Sequence, residues 1–234
     1  MLERNPWSRL PRFRAVIFDL DGTLLDTEGG TDKALVAVLD KAGLNPELAG
    51  DLSRFHGATW HSIATKLVEL FPALAGRPVA EDLQELFHAG QTLNPPYEIP
   101  GARGALAAAA ASYPTGIVTS STRPTLELVR GHLGVDPSSL VTVCAEDVRQ
   151  SKPSPEGYLT AARLLGVPPS ECLVFEDSEN GLAAASAAGM TTIAVAHQAG
   201  ARQRRGFSSM VSTSIRDYTE LPTDFFAPTL PRTQ

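Results

Sequence analysis

The chain has 234 residues, 43% hydrophobic and 20% charged, the balance of a globular protein with one sizeable core and room for a smaller subdomain. A net charge of -6 leaves no electrostatic footprint for nucleic acid or an anionic membrane, although a local basic pocket can still hold a phosphate. No stretch approaches the ~20 apolar residues of a membrane span, Met1 to Arg14 lacks the apolar core of a leader, and Cys144 and Cys172 sit at apolar runs as buried, inert thiols. A cytoplasmic protein, monomeric or weakly dimeric, is expected.

Short apolar, partly β-branched runs at Ala15 to Phe18, Thr115 to Thr119, Val141 to Cys144, Cys172 to Phe175 and Thr191 to Ala196 predict strands. Helical patterns separate most of them, so a parallel sheet is implied. Thr122-Arg123-Pro124 opens a helix with Leu126, Val129 and Leu133 on one face and Gly134 at its end. Ser154-Pro155 and Ser178 open two more, ending at Gly166 and Gly189.

Between about residues 30 and 93 no strand is convincing and helical spacing takes over. Leu35, Val38, Leu39 and Ala42 share one face; Asn45-Pro46 starts a helix bearing Leu48, Leu52 and Phe55; Ile63, Leu67 and Leu70 recur, then Leu83, Leu86 and Phe87. This is a helical insert in an α/β domain. Leu25 to Gly29 reads as the outgoing crossing, Asn94-Pro95-Pro96 and Pro100-Gly101 as the return. Residues from about Thr223 read as a loosely packed tail.

Four segments carry chemistry. Phe18-Asp19-Leu20-Asp21-Gly22-Thr23 ends a strand in two carboxylates, where open α/β sheets bind ligands, though Asp-Gly after an apolar run is equally a turn. Thr119-Ser120-Ser121-Thr122 offers hydroxyls ahead of a helix N-terminus; N-capping by Thr122 is the simpler account in isolation. In Ser151-Lys152-Pro153-Ser154-Pro155, prolines stiffen a loop around one ammonium that is otherwise a solvated lysine. Glu176-Asp177 follows another strand with oxygen ligands that suit Mg²⁺, or with an acidic helix start. Each has an innocent explanation; their concurrence at successive strand ends does not.

Together these residues resemble the haloacid dehalogenase superfamily, in the phosphotransferase subset with a helical cap. Residues Ser151 to Tyr158 and Glu176 to Ala185 are especially similar to its beta-phosphoglucomutase-like branch. The resemblance implies a three-layer Rossmann-like parallel core, residues 1–26 and 97–234, with residues 27–96 as an all-helical cap. It implies Asp19 as a nucleophile that forms an aspartyl phosphate, with Asp21 as acid and base. It further implies Ser120 and Lys152 on phosphate oxygens, and Mg²⁺ held by Asp19, the Asp21 backbone carbonyl, Asp177 and Glu176 through water. The expected partner is a small phosphorylated metabolite, a sugar or polyol phosphate.

Asp21 and the acidic fourth motif disfavour dehalogenation, whose branch typically lacks the second aspartate. A phosphosugar mutase is the closer alternative, but its functional histidine would fall near Thr31, where the chain has Gly29-Gly30-Thr31-Asp32. Further candidate substrate contacts are Thr23, Thr27, Ser121, Arg123, and His56 and Thr59 in the loop Phe55 to His61. Trp60 reads as packing, His61, His88, His132 and His197 as surface or packing residues, and Arg202, Arg204 and Arg205 as a solvated basic cluster.

Overall fold

A computed structural model describes residues 7, 10–93, 96–197 and 211–227. Six strands form a parallel sheet: β1 (Ala15–Phe18), β4 (Thr115–Val118), β5 (Val141–Val143), β6 (Cys172–Glu176), β7 (Thr191–Val195) and β8 (Thr213–Ile215), in the order β5-β4-β1-β6-β7-β8. Every pairing is parallel, with Ile17 opposite both Gly116 and Val174.

The two-residue period of β1 sends Val16 and Phe18 to one face and Ala15 and Ile17 to the other. On the first face α4 (Ala102–Ser112) and α5 (Arg123–Val129) bury Leu106, Leu126 and Val129. On the second, α6 (Glu156–Leu165) and α7 (Glu179–Ala187) bury Tyr158, Ala162, Ala184 and Ala185. The result is a three-layer α/β core. Phe18 and Phe175 stack across neighbouring strands, centroids 5.0 Å apart and 7° from parallel, immediately before Asp19 and Glu176. Both cysteines are buried, and burial pushes each thiol up to about 11.

Between the short strands β2 (Leu25–Asp26) and β3 (Tyr97–Glu98) the chain is helical: α1 (Glu28–Lys41), α2 (Trp60–Leu70) and α3 (Val79–Leu93). These helices close over a separate apolar cluster that includes Leu35, Leu39, Phe55, Leu67, Leu83 and Phe87. β2 and β3 pair antiparallel, so the outgoing and returning crossings form one ribbon rather than two independent linkers. His88 on α3 bonds Thr125 on α5 at 2.7 Å and ties the two clusters together.

Three expectations need correction. The helix predicted from Asn45-Pro46 is two single 3₁₀ turns, Pro46–Ala49 and Leu52–Phe55. Asn45 and Asp51 each cap a turn with the side chain, and Leu48 is left 71% exposed because the face does not continue. Leu70 is also exposed at the end of α2, outside the apolar cluster. The described part of the supposed loose tail is packed: Phe226 is buried in the core, and Phe225 meets Phe226 and Trp7 edge-on. The sixth strand, β8, was not predicted; Arg202, Arg204, Arg205, Asn94 and Pro95 lie outside the described residues. No helix of the described residues is long and apolar enough to cross a membrane.

Phe175→Ala should remove the stacking partner of Phe18 and lower the unfolding free energy by about 3–5 kcal/mol, read as a shift in urea midpoint. A loss below about 1 kcal/mol would mean that the two strand ends are not held by this contact.

Candidate active site

Asp19 begins where β1 ends, its amide N–H donating to Phe175 O at 3.0 Å, so the chain leaves the sheet with Asp19 level with the end of β6. On the other side Thr119 N–H donates to Val143 O. The strand order therefore brings the first, second and fourth sequence segments side by side at the carboxyl edge of the sheet.

Lys152 reaches into the centre of this edge. Its Nζ donates to Asp19 Oδ1 at 2.5 Å, Glu176 Oε1 at 2.6 Å and Val118 O at 3.3 Å, and stands 5.3 Å from the centre of the Tyr158 ring. The Lys152 side chain is only 6% exposed. Burial opposes its charge, but Asp19 and Glu176 outweigh burial and hold the ammonium well above its ordinary pKa. Asp19 is moved the other way: burial, with Glu176 and Asp21 nearby, pushes it up to about 8 against the pull of Lys152.

Glu176 is committed on both oxygens. Oε1 accepts from Lys152 and Tyr158, and Oε2 from the Ser178 N–H at 2.7 Å and hydroxyl at 3.0 Å. Ser178 Oγ in turn caps α7 by accepting from Gly181 N–H. Asp177 Oδ1 accepts from the Thr23 hydroxyl at 2.9 Å. Gly22 makes this approach possible: its φ is +79°, and a Cβ there would stand 2.2 Å from Asp177 Oδ2.

Carboxylate oxygens of Asp19, Glu176 and Asp177 come within 4.8 Å of one another. Three carboxylates around one ammonium leave an excess of negative charge, and an all-oxygen donor set of that kind fits a hard divalent cation such as Mg²⁺. The carboxylate of Asp21 is not part of this group. It is held apart by three hydroxyls: Thr27 donates to Oδ1 at 2.8 Å, while Thr119 and Ser121 donate to Oδ2 at 2.9 and 2.8 Å.

The helical segment reaches the site through the loop before α2. Ser120 Oγ donates to Gly57 O at 3.0 Å, and Gly57, at φ +70°, packs so closely that a Cβ would stand 2.7 Å from Ser178 Oγ. A small cavity of about 30 Å³ lies there, with Asp19, Asp21, Ser120 and Ser121 on the sheet side and Thr31, Phe55, Trp60 and Phe87 on the helical side. Trp60 thus both packs on Phe87, 5.2 Å between ring centres, and walls the cavity.

Of the residues singled out in the sequence, Asp19, Asp21, Thr23, Thr27, Ser120, Ser121, Lys152, Glu176 and Asp177 are brought together. Arg123 is not: its guanidinium binds Asp147 at 2.5 Å and its N–H meets Glu146, because position N1 of α5 faces the loop after β5. Thr59 spends its hydroxyl on Ser62 as the N-cap of α2, although it borders a neighbouring groove. His56 pairs with Asp32 at 2.9 Å. Thr119 was passed over. As the last hydroxyl before the predicted turn, at the same strand end as Ser120, it had the same signal.

Comparison with known proteins gives the family of the chain. A model for haloacid dehalogenase-like hydrolases matches residues 13–189. The fructose-1-phosphate phosphatase YqaB of Escherichia coli is 33% identical over 79% of this chain and 97% of its own. Hexitol phosphatase A of the same organism is 34% identical over 79% of this chain and 83% of its own. The fold is shared with the beta-phosphoglucomutase of Clostridium difficile, at a TM-score of 0.74 and 20% identity over 91% of this chain and 95% of that one. Four motifs at one sheet edge and a family match through most of the chain say the same thing: this protein belongs to the haloacid dehalogenase-like hydrolases.

Proposed function

We propose that this chain, a phosphoric monoester hydrolase, removes phosphate from a sugar or polyol phosphate through an aspartyl phosphate on Asp19, with Mg²⁺ as cofactor. The observation that carries the reading is the ring of Asp19, Lys152, Glu176 and Asp177 beside an Asp21 held by three hydroxyls. Residues 1–26 and 97–234 serve as the core and 27–96 as the cap.

In the first half-reaction an Asp19 carboxylate oxygen attacks phosphorus and the bond to the leaving oxygen breaks, while Asp21 gives that oxygen a proton. In the second, Asp21 takes a proton from water as the water oxygen attacks phosphorus; the Asp19–phosphorus bond breaks and phosphate is released. Thr27, Thr119 and Ser121 keep the Asp21 carboxyl pointed at the reacting oxygens. Lys152 and Ser120 bind the oxygens of the transferred group, where negative charge spreads. Asp19, Asp177 and the Asp21 backbone carbonyl would hold Mg²⁺, and the bound cation would supply charge neutralisation on phosphate; Glu176, expected to act through water, has both oxygens taken by Lys152, Tyr158 and Ser178 and would serve instead to fix the ammonium. Thr23 steadies Asp177. His56, paired with Asp32, fixes the loop that closes the cavity.

Water as the acceptor is supported by Thr31, which faces the cavity where the mutase branch has its histidine. With Mg²⁺ and a sugar phosphate, free phosphate should be released stoichiometrically; an isomerised product without it would assign a mutase instead.

Asp19→Asn should lower turnover by several orders of magnitude while the circular dichroism spectrum is kept; turnover within tenfold of wild type would sink the nucleophile. The raised pKa of Asp19 sets a pH dependence. Its proton favours the metal-free fold below about pH 4, where Asp19 is protonated in both states, and that stability is lost as pH rises through about 8. Mg²⁺ must displace the proton, so the rise in melting temperature on adding Mg²⁺ should grow from pH 6 to 8. A shift equal at both pH values would remove Asp19 from the ligand set.

A further inference from the structure

A second space, a groove of about 820 Å³, runs between α2 and the loop joining β5 to α6. Lys66 comes from α2 and Arg149 from the loop; His61 adds a third nitrogen base, and Lys152, the partner of Asp19, also lines the groove. Among the described residues no aspartate or glutamate lines it, in a chain whose net charge is -6.

Around Arg149, the nearby acids bind backbone N–H groups or Arg123. Glu156 accepts from the Arg149 and Gln150 N–H groups, Asp147 holds Arg123, and Glu146 accepts from the Arg123 N–H. Lys66 and Arg149 make no ion pair with a described residue. Cations from two elements that line one acid-free groove give it a positive potential.

We propose that this groove is a subsite for a second anionic group, a phosphate or carboxylate at the far end of the phosphorylated substrate, held by Lys66 and Arg149. The proposal rests on the hydrolysis assigned above for the position of the first phosphate. Substrates with two anions gain contacts that a neutral sugar phosphate does not make, and the gain is screened by salt because both side chains are exposed.

The test compares fructose 1,6-bisphosphate with fructose 1-phosphate. In wild type the ratio of their kcat/KM values should favour the bisphosphate; in Lys66→Gln/Arg149→Gln the ratio should fall about tenfold, and less so at 0.5 M salt. An unchanged ratio overturns the subsite. Inhibition by inorganic phosphate separates the two sources of anion: if the double variant weakens it as much as it weakens bisphosphate use, the groove binds free phosphate and the proposal fails. Calorimetric titration reads binding without turnover. A wild type that hydrolyses neither sugar, yet binds the bisphosphate more tightly than the double variant does, keeps the subsite and sinks the reaction.

Discussion

The buried ammonium of Lys152 is the interaction on which the rest of the structure depends. A charge taken out of water is costly unless its donors are met, and here Asp19, Glu176 and the carbonyl of Val118 meet them. Those three acceptors belong to the ends of β1, β6 and β4. One side chain therefore holds three strand ends in register and sets the charge of the site. It also creates a demand, because Asp19, Glu176 and Asp177 outnumber it.

The carboxylates divide according to their surroundings. Glu176 is saturated by Lys152, Tyr158 and Ser178, so it is fixed and has no oxygen free of protein donors. Asp21 accepts from three hydroxyls, away from the ammonium, and they hold its carboxyl in one orientation. Asp19 lies between these regimes, buried, paired and protonated more readily than an ordinary aspartate. Two loops seal this arrangement through glycine: Gly22 admits Asp177, and Gly57 brings the helical segment onto Ser120 and Ser178. Water is thereby limited to a small cavity above Asp19, where electrostatic effects are strongest.

What was legible in the chain was local. Short apolar, partly β-branched runs marked five of the six strands of the large sheet, and period-3.6 patterns with proline and glycine at their ends marked most of the helices. The Asp19-Leu20-Asp21-Gly22-Thr23 and Glu176-Asp177 segments were visible because carboxylates follow apolar runs directly, and Lys152 because prolines stiffen the loop around it. The failures were of other kinds. Leu48 satisfied an apolar pattern whose helix is interrupted at Gly50, at φ +69°, and at Asp51, which caps a new turn. Phe225 and Phe226 sit among prolines and threonines, and only the core shows what they cover.

The sequence by itself determined the element types, the order of the motifs and the residue chemistry of the edge, since these follow from neighbours within a few positions. Tertiary structure alone decided which polar groups meet. Arg123 and Lys152 are both cations near strand ends, yet Asp147 takes the first and Asp19 the second. Ser120, Thr119 and Ser121 are adjacent hydroxyls, yet one binds Gly57 and two bind Asp21. Hydrogen bonds act over about 3 Å, and residues separated by 98 to 154 positions come that close only when the sheet order and the helical packing have been set.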